Sequence, residues 1–588
     1  MSFMLSRRLL VVVLLVGVLL SACTRSPQTG TGGEFPARAR TTGKAGGSIT
    51  YRVSAPPKTF NYLMAADEPT ILAAFYLTVS RLAEFDQDKQ VYVPALAESW
   101  QNGTDGRTLD VTLRDGLKFS DGQALTADDV AFTLHALYDK RTGSPIFGDA
   151  MLIGGKEIEA SVVDARHLRL VFPEQVAAPE NYLSNLGVLP RHALENDLNA
   201  GTIKDAYSVT TEPQKIVTSG PFMVAASAPS EGRFTFKRNP NYWKRDAAGN
   251  ALPYLDMLNI VVVPDANNAM AQLQQKTIDI IDRIRPTDFA ALHNSQGDVR
   301  ALDLGPSLYA DDLWFNQNDG VTDGKPFVEP NKLAWFRDTR FRRAVSHAID
   351  RESIATNTYQ GLASPLYGFI AGGNRAWGAD DLPRTEYSLD KARALLKDAG
   401  FTTKGTQDAP ELYDAKGNRV EFTIIVSAEN ELRAKSALVV QEDLKKLGMN
   451  VQVAPIENTQ LQNRILKSFD YEAVLYGSSV TEPDPSSYTD VLMSSSAQHF
   501  WYPKEAKPAT DWEARIDDLT AQQAHESDPA RRRAIFHEIQ AIMAAQLPLI
   551  PIVTRHIPVA ANTRLGNYRP SPLPPFSLWN ADELYVRQ

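Results

Sequence analysis

The sequence predicts an α/β protein in which helices flank mixed sheets. One sign is the alternation of apolar and polar residues in segments such as "TLDVTLR", where Leu109, Val111 and Leu113 share a face. Another sign is the combination of helix start signals with apolar helical stripes, as at Thr126 and Asp129, which form an S/T-x-x-D box. Strands and helices succeed one another in this way along the chain, as in α/β and α+β proteins.

Strands are predicted wherever apolar residues alternate or form short runs bounded by turns. The segment "EIEASVVDARHLRLVF" predicts a hairpin that turns near Asp164, with Leu168, Leu170 and Phe172 on one face. The other predicted strands, in chain order, are "GGSITYRVS", "TLDVTLR", "FTFKRNPNYW", "LDMLNIVVVP", "VEFTIIVS", "VQV" and "EAVLYG".

Helices are predicted where capping residues adjoin an apolar stripe. Ser388 begins one helix that Gly400 ends, Gly448 ends another over 438–447, and Asp528 with Pro529 begins a third. The stripes expected to face inward are Val130, Leu134, Leu137 and Tyr138; Ala392, Leu395, Leu396 and Ala399; and Ile535, Ile539, Ile542 and Met543.

The segment "LPLIPIV", which follows the last of these helices, is predicted to be extended. Its two prolines, Pro548 and Pro551, cannot donate backbone hydrogen bonds to a ladder. They therefore favour an edge strand or a connector over a central position in a sheet.

The first residues are typical of an export signal. Arg7 and Arg8 precede an unbroken apolar run over 9–20, which is too short for a bilayer-spanning helix of about 20 residues. Cys23 is the only cysteine, so it forms no internal disulfide. The residues up to Cys23 resemble the lipobox of bacterial lipoproteins, in which this cysteine is acylated; an ordinary signal peptide with a chance cysteine is the alternative. Residues 24–45, rich in Gly, Thr and Pro, predict a flexible tether.

Composition narrows the class of function. The formal charge is −9, and no basic block follows the leader, so nucleic acid and anionic membrane surfaces are excluded as partners. "GPSLYA" and "YGSSV" are not G-x-S-x-G elbows, and "HEIQA" at His537 lacks a second histidine four residues on. No catalytic, metal or cofactor site is therefore predicted.

Nine motifs in a fixed order carry a resemblance to a known family. The chain resembles the family 5 extracellular solute-binding proteins, the peptide and nickel binders of ABC transporters. The motifs are "PALAESW", "TLRDGLKFSDGQALTADDVAFTL", "SGPF", "RNPNYW", "KTIDI", "LWFNQ", "FRRAVSHAIDRESI", "KARALLKDAGF" and "PDPSSY".

The resemblance implies a periplasmic-binding-protein-like fold of two lobes that close on a ligand. The first lobe comprises 46–75, 190–308 and 556–588, with a small inserted domain at 76–189. The second lobe spans 316–547, and crossover hinge strands at 309–315 and 548–555 join the two. The leader at 1–23 and the tether at 24–45 precede them.

The resemblance also implies the function and the partners. The chain would be the monomeric, lipid-anchored receptor of an ABC importer, without catalysis or cofactor, in the periplasm or cell envelope. It would hold an extended solute, an oligopeptide, and deliver it to a permease with ATPase subunits. The alternatives are a receptor for a non-peptide solute and a sensory lipoprotein that presents its ligand to a membrane receptor.

Site residues follow from the same resemblance. The strand expected to contact the ligand is Gly477, Ser478, Ser479 and Val480. Facing it would be Ala66, Asp67 and Glu68, with Phe222 near the cleft and Ser427, Glu429 and Asn430 on the second lobe. Tyr309 and Trp314 would either line the cleft or pack against the hinge.

One position departs from the family pattern. Peptide binders of this family carry, near the place of Thr481, an aspartate that pairs with the α-amine of the ligand, and Thr481 has no charge. Glu482, Asp484 or Asp67 would then supply the carboxylate; otherwise the ligand lacks a free amine.

Overall fold

The computed structural model describes residues 41–295, 297–480 and 482–587. The leader, Cys23 and residues 24–40 of the tether lie outside these ranges, so the structure does not test the predictions made for them. Within the described ranges, no helix combines the length and the apolar character that crossing a membrane requires.

The described residues form strands that range from two to seventeen residues in length. They are β1 Ser48–Val53, β2 Ala83–Asp86, β3 Val91–Pro94, β4 Ala97–Asn102, β5 Thr108–Leu113, β6 Glu159–Val162, β7 His167–Val171, β8 Phe222–Ala228, β9 Arg233–Arg238, β10 Met257–Val262, β11 Ile280–Asp282, β12 Val299–Phe315, β13 Val321–Thr322, β14 Lys325–Pro326, β15 Ala363–Pro365, β16 Thr402–Gly405, β17 Pro410–Tyr413, β18 Glu421–Ser427, β19 Asn450–Ile456, β20 Ala473–Ser479, β21 Leu549–Asn562, β22 Leu565–Gly566 and β23 Tyr585–Val586.

Helices lie between these strands, as the α/β prediction requires. They are α1 Glu68–Ile71, α2 Ala127–Tyr138, α3 Phe147–Ala150, α4 Pro179–Asn185, α5 Arg191–Ala200, α6 Ala266–Gln274, α7 Pro286–His293, α8 Pro330–Arg337, α9 Thr339–Ala348, α10 Arg351–Ser353, α11 Leu389–Asp398, α12 Glu431–Lys445, α13 Asn458–Asn463, α14 Thr489–Leu492, α15 Asp511–His525 and α16 Pro529–Gln546. π-Helical turns follow α1, α10 and α13 at Leu72–Leu77, Ile354–Thr358 and Arg464–Ser468.

Capping chemistry places the helices where the sequence predicts them to start and stop. The Thr126 N–H donates to Asp129 Oδ2 at 2.8 Å, and the Lys391 N–H donates to Ser388 Oγ at 3.3 Å. The Arg531 N–H donates to Asp528 Oδ1 at 2.8 Å, so this start of α16 is confirmed as well. Beyond the helix ends, Gly400 and Gly448 have φ of 88° and 86°, a left-handed conformation that glycine adopts without strain.

One large sheet runs through the described residues. Its strands lie in the order β19-β18-β20-β12-β21-β11-β1-β10-β9-β8, and β15 also pairs with β21. The pairing is mixed: β1 is parallel to β10, whereas β12 is antiparallel to both β20 and β21. A separate antiparallel sheet, β4-β5-β7-β6, includes the hairpin predicted at Asp164, in which Val162 pairs with Leu168.

Two bodies of buried apolar residues lie on either side of the centre of this sheet. The first core takes its buried residues from 49–302 and from 557–584. The second core takes them from 313–553. Both β12 and β21 therefore begin in one core and end in the other, and the chain passes between the cores along these two paired strands.

The segment "LPLIPIV" lies at the start of β21, where the chain passes between the two cores, as its prolines predict for an edge or a connector. From Leu549 to Pro551 it pairs with β12 alone among the described residues, and β15 pairs with β21 from Val553 to Arg555. Pro548 precedes the first strand residue, and Pro551 pairs with Asp312 next to a register shift in the ladder. Such a shift leaves ladder positions unpaired, so a missing N–H is tolerated there.

Candidate functional site

The predicted contact strand has one unpaired edge. Gly477, Ser478 and Ser479 pair with Asp311, Ala310 and Tyr309 of β12 on one side. On the other side β18 pairs with β20 only at Ala473 and Val474. Among the described residues, no strand covers that edge from residue 475 onward, and Ser479 is exposed. Backbone N–H and C=O groups along this edge are therefore available to an added extended chain.

A buried cluster of charges lies against this strand. Asp311 is fully buried, and its Oδ1 accepts from Arg433 Nε at 3.0 Å and from Arg555 Nη2 at 3.1 Å. Its Oδ2 accepts a short hydrogen bond from the hydroxyl of Tyr359. The carboxylate thus joins residues from β12, α12 and β21 and from the turn that follows α10.

The adjacent acidic residues Asp311 and Asp312 of β12 differ in pKa. The pKa of Asp311 is lowered: burial alone would raise it, but the positive charges of Arg555 and Arg433 outweigh burial. Burial raises the pKa of the neighbouring Asp312 to about 7, although the hydroxyl of Ser478 donates to its Oδ2 at 3.0 Å. With two guanidinium groups on Asp311, the cluster carries excess positive charge at neutral pH.

Gly477 leaves room for these arginines. A Cβ atom at this position would lie 1.8 Å from Arg433 Nη2 and 2.6 Å from Arg555 Nη2, so the guanidinium groups would have to move. The absence of a side chain lets them approach the strand backbone. Arg555 remains 27% exposed, and its Nε has no acceptor in the described ranges, so it is suited to an anionic group.

The residues predicted on the facing loop have partners of their own. Asp67 caps α1, accepting from the Thr70 N–H at 3.0 Å, and forms an ion pair with Lys58 at 3.2 Å. Glu68 pairs with Arg283 at 2.6 Å on the surface, and Ala66 is exposed. The carboxylates of Asp67 and Glu68 are therefore already paired with cations of the same predicted lobe.

Ser427, Glu429 and Asn430 form the turn between β18 and α12. The Ser427 hydroxyl donates to Glu429 Oε2 at 2.8 Å, and Asn430 caps α12 by accepting from the Arg433 N–H at 3.0 Å. Glu429 is exposed, whereas Ser427 is buried. The turn therefore positions Arg433, the helix residue that binds Asp311.

The three predicted aromatic residues occupy different environments. Phe222 is completely buried in the first core, so its side chain presents no surface to a ligand in this structure. Trp314 is also buried and stacks on Phe500 at 5.0 Å, which is the hinge-packing alternative of the two predicted for it. Tyr309 is half-buried, and the guanidinium carbon of Arg555 lies 5.8 Å from its ring centre.

Of the acidic candidates after the contact strand, Glu482 and Asp484 differ sharply. Asp484 is buried and held by Arg532 through two hydrogen bonds of 2.7 Å. Glu482 accepts only a hydrogen bond of 2.9 Å from Tyr92 and one from Asn185, and burial raises its pKa to about 7. Thr481, which lies between the contact strand and Glu482, is outside the described residues.

Two cavities adjoin these acidic residues, and residues of both cores line them. The larger has a volume of about 470 Å³ and includes Tyr92, Trp100, Trp377 and Asp484 in its wall. The smaller, of about 70 Å³, is lined by Arg81, Gln87, Asn185 and Glu482 among others, and Gln87 Oε1 has no hydrogen-bond partner in the described ranges. Phe85 and Pro483 line both cavities, which are therefore neighbours. We call the two together the cleft.

Sequence reasoning missed the residues that organise this region: Asp311, Arg433, Arg555, Tyr359 and Tyr92. A signal was present for two of them. Asp311 interrupts the apolar strand "LYADDLWF", and Arg555 interrupts "LIPIVTRHIPV". A charge within a buried strand requires an opposite charge nearby, and this requirement links the two strands.

The chain is similar to proteins of one family along most of its length. The family profile described as bacterial extracellular solute-binding proteins, family 5 middle, matches residues 91–500. A probable ABC transporter-binding protein of Deinococcus radiodurans is 28% identical over 554 residues, 90% of each chain. The oligopeptide-binding protein AppA of Bacillus subtilis is 28% identical over 514 residues, 84% of each chain.

Solved structures share the fold. The ABC transporter substrate-binding protein CtaP of Listeria monocytogenes gives a TM-score of 0.74 at 23% identity, covering 93% of this chain and 100% of CtaP. AppA of Bacillus subtilis in complex with a nonapeptide gives a TM-score of 0.66 at 24% identity, with the same coverage.

The charge cluster predicts that Asp311→Asn destabilises the protein. The variant leaves two guanidinium groups without their carboxylate, at a cost of about 3–5 kcal/mol for breaking a buried pair. Because the folded-state pKa of Asp311 is lowered, this stability is present above its unfolded pKa of about 4 and is lost as the pH falls. Denaturant unfolding of the ligand-free protein at several pH values measures the effect.

Asp110→Asn is the matched control. Asp110 also pairs with an arginine, accepting from Arg169 at 2.6 and 3.0 Å, but about half of each side chain is exposed. Its loss should change the unfolding midpoint only slightly. Equal destabilisation by the two variants at neutral pH would contradict a special role for the buried cluster.

Proposed function

The chain belongs to the bacterial extracellular solute-binding proteins of family 5, and from this we propose that it is the peptide-capturing component of an ABC importer. It binds an extended oligopeptide between the two cores and delivers it to a membrane permease driven by ATPase subunits. The Bacillus subtilis relative is by name an oligopeptide-binding protein, and its crystal structure includes a nonapeptide.

The unpaired edge of β20 is the observation that carries the peptide proposal. A peptide that lies along residues 475–480 becomes an additional strand of the sheet, and its main chain supplies the hydrogen bonds. Affinity that comes from the main chain is largely independent of sequence. An importer that scavenges mixed peptides needs this property.

The cleft accommodates the side chains of such a ligand. Its larger cavity falls within the roughly 300–1,000 Å³ typical of ligand sites, and charged and aromatic residues both contribute to its wall. Water in a polar cavity of this kind mediates contacts to different side chains, so one site tolerates many sequences.

The hinge of the proposed closing motion is the β12–β21 pair. The predicted first lobe at 46–75, 190–308 and 556–588, with its insertion at 76–189, would rotate against the second lobe at 316–547. The backbone torsions of the crossovers at 309–315 and 548–555 would change to allow this rotation. The division of the apolar residues into two cores supports this arrangement. One monomer contains both faces of the cleft, so we infer that it functions without a second copy.

Glu482 is the candidate partner for the α-amine of the ligand. It lines the smaller cavity, whereas Asp484 and Asp67 are already paired with Arg532 and Lys58. Its raised pKa reflects an uncompensated buried carboxyl, and a peptide ammonium would supply the missing charge.

Cys23 is proposed to carry the lipid anchor that holds the receptor at the envelope, with residues 24–45 as the tether. The sequence around it supports this proposal, since a basic start and a short apolar run precede the cysteine. About 22 flexible residues have a root-mean-square span of roughly 25 Å, which lets the folded part reach a permease in the same membrane.

The peptide proposal predicts that backbone N–H groups, rather than particular side chains, determine affinity. A nonapeptide and its scrambled version should bind within about tenfold of each other by calorimetry. An N-substituted glycine oligomer with the same side chains has no backbone N–H and should bind at least about 100-fold more weakly, because several hydrogen bonds of ~1 kcal/mol are lost. Equal binding of the oligomer, or no binding of any peptide, would refute the proposal.

The role of Glu482 predicts different pH profiles for free and N-acetylated peptides. In the closed cleft its pKa is about 7, against an exposed value of about 4.3, so closure on an acetylated peptide takes up a proton. Affinity for that peptide should be greatest at acidic pH and should fall about 40-fold between pH 5 and pH 7. The free ammonium keeps Glu482 ionised, so the free peptide should show little change over this range.

Glu482→Gln is the control for this titration, because it should remove the pH dependence of acetylated-peptide binding. Identical profiles for the two peptides in the wild type would show that Glu482 does not face the amine. In that case the ligand amine lies elsewhere or is absent.

The anchor proposal predicts that the full chain, expressed in a bacterial host supplied with a labelled fatty acid, carries the label. Cys23→Ala should abolish the labelling, because no acylated residue remains. Ser26→Ala, in the tether, should leave the labelling unchanged. Labelling of Cys23→Ala at the wild-type level would contradict acylation at this cysteine.

A further inference from the structure

A long irregular segment of the second core carries a group of buried titratable side chains. The segment covers residues 493–510, between α14 and α15, and contains neither helix nor strand. Loops longer than about 12–15 residues without secondary structure are uncommon, and specific contacts usually fix them. His499, Glu505 and Glu513 lie in it or just beyond it, and none of them contributes to the cleft.

These three side chains converge on one point. His499, Glu505 and Glu513 are 0%, 4% and 3% exposed, and one potential ligand atom from each lies within 4.8 Å of the others. The distance from His499 Nε2 to Glu513 Oε1 is 3.9 Å, which is too long for a hydrogen bond. A cation between the atoms would account for this separation.

Several buried polar atoms of this group have no hydrogen-bond partner among the described residues. His499 Nε2 and both carboxylate oxygens of Glu505 have no hydrogen-bond partner within the described residues. Leaving a buried polar atom unpaired is unfavourable, and more so when it is charged, so three of them at one point call for a bound group.

The histidine is oriented as a metal ligand would be. His499 Nδ1 lies 3.1 Å from the carbonyl oxygen of Val491, so Nδ1 carries the hydrogen and donates it. Nε2, the other ring nitrogen, then faces the two glutamates. A backbone carbonyl that fixes the tautomer in this way is the usual outer partner of a metal-binding histidine.

Glu513 is held in place by neighbouring donors. Trp501 Nε1 donates to its Oε1 at 2.9 Å, and the Thr510 hydroxyl donates to its Oε2 at 2.7 Å. Neither carboxylate oxygen of Glu505 is held in this way by the described residues.

We propose that His499, Glu505 and Glu513 bind a structural Zn²⁺ ion. Zn²⁺ binds imidazole nitrogen and carboxylate oxygen with bonds near 2.0–2.2 Å and ligand atoms about 3.4 Å apart in a tetrahedron, in which a water molecule would fill the fourth position. The three atoms need only small movements to reach that spacing. Ca²⁺ prefers six to eight oxygens and Mg²⁺ an octahedron of oxygens, so neither suits a buried site with a histidine.

The ion would fix the segment beneath the crossing strands. Phe500, next to His499, stacks on Trp314 of β12, and its carbonyl oxygen accepts from the Tyr471 hydroxyl at 2.9 Å. Zinc bound at His499 would thus stabilise the support of β12 in the second core. Zinc binding at this site would not depend on which solute the cleft binds.

Metal analysis of the purified full chain tests the proposal. After removal of metal with a chelator, Zn²⁺ titration followed by calorimetry should give one ion per chain at submicromolar Kd and raise Tm by several degrees. Co²⁺ in its place should give the strong visible absorption of a four-coordinate site. Failure of the wild type to bind Zn²⁺, or binding without a gain in Tm, would overturn the proposal.

Variants locate the ion. His499→Gln and Glu505→Gln should each weaken Zn²⁺ binding at least 100-fold. His537→Gln removes an exposed histidine whose Nε2 lies 2.9 Å from Asp381 Oδ1, and it should leave the affinity for Zn²⁺ unchanged. Wild-type affinity in both cluster variants would place the ion elsewhere and refute the assignment. If the variants fail to fold, the Co²⁺ spectrum of the wild type decides, because a weak six-coordinate spectrum excludes the proposed ligand set.

Discussion

The antiparallel pairing of β12 with β21, fixed by the buried carboxylate of Asp311, is the constraint on which the rest of the structure depends. These strands are separated by more than 230 residues in the chain, yet they pair from Val299 with Asn562 to Trp314 with Leu549. Because each strand belongs to both apolar cores, the pair is the path by which the chain crosses between them. The arginines on Asp311 attach α12 to this path.

The proposed binding site depends on the same pairing. Since β12 holds β20 along one edge only, the other edge of β20 from Leu475 onward remains unpaired among the described residues. Gly477 is compatible with the charge cluster because it has no side chain, so the residue type that exposes the strand backbone also leaves room for the arginines. The charge cluster and the proposed recognition thus involve the same few positions.

Local patterns predicted most elements of the fold, and long-range charge pairing explains what they missed. Alternation located β5 and the β6–β7 hairpin, and capping residues located α2, α11 and α16. Pro548 and Pro551 predicted an edge or a connector, and Pro551 pairs with Asp312 of β12 next to a register shift, in the strand that joins the two cores. The partners of Asp311 lie 122 and 244 residues away, and the spacing of His499, Glu505 and Glu513 matches no short metal motif, so only the fold brings these groups together.

The central claim is that the two cores close around a peptide by bending at the β12–β21 pair. Cys23 is the only cysteine, so a variant without it has no thiol. Lys156→Cys and Lys416→Cys then introduce two thiols for spin labels, on exposed turns on either side of the β12–β21 pair. Pulsed electron paramagnetic resonance then measures the distance between the two labels with and without a bound nonapeptide. We predict a broad, longer distribution without peptide and a narrow, shorter one with it. The same narrow distribution in both conditions would show a rigid body and contradict the claim.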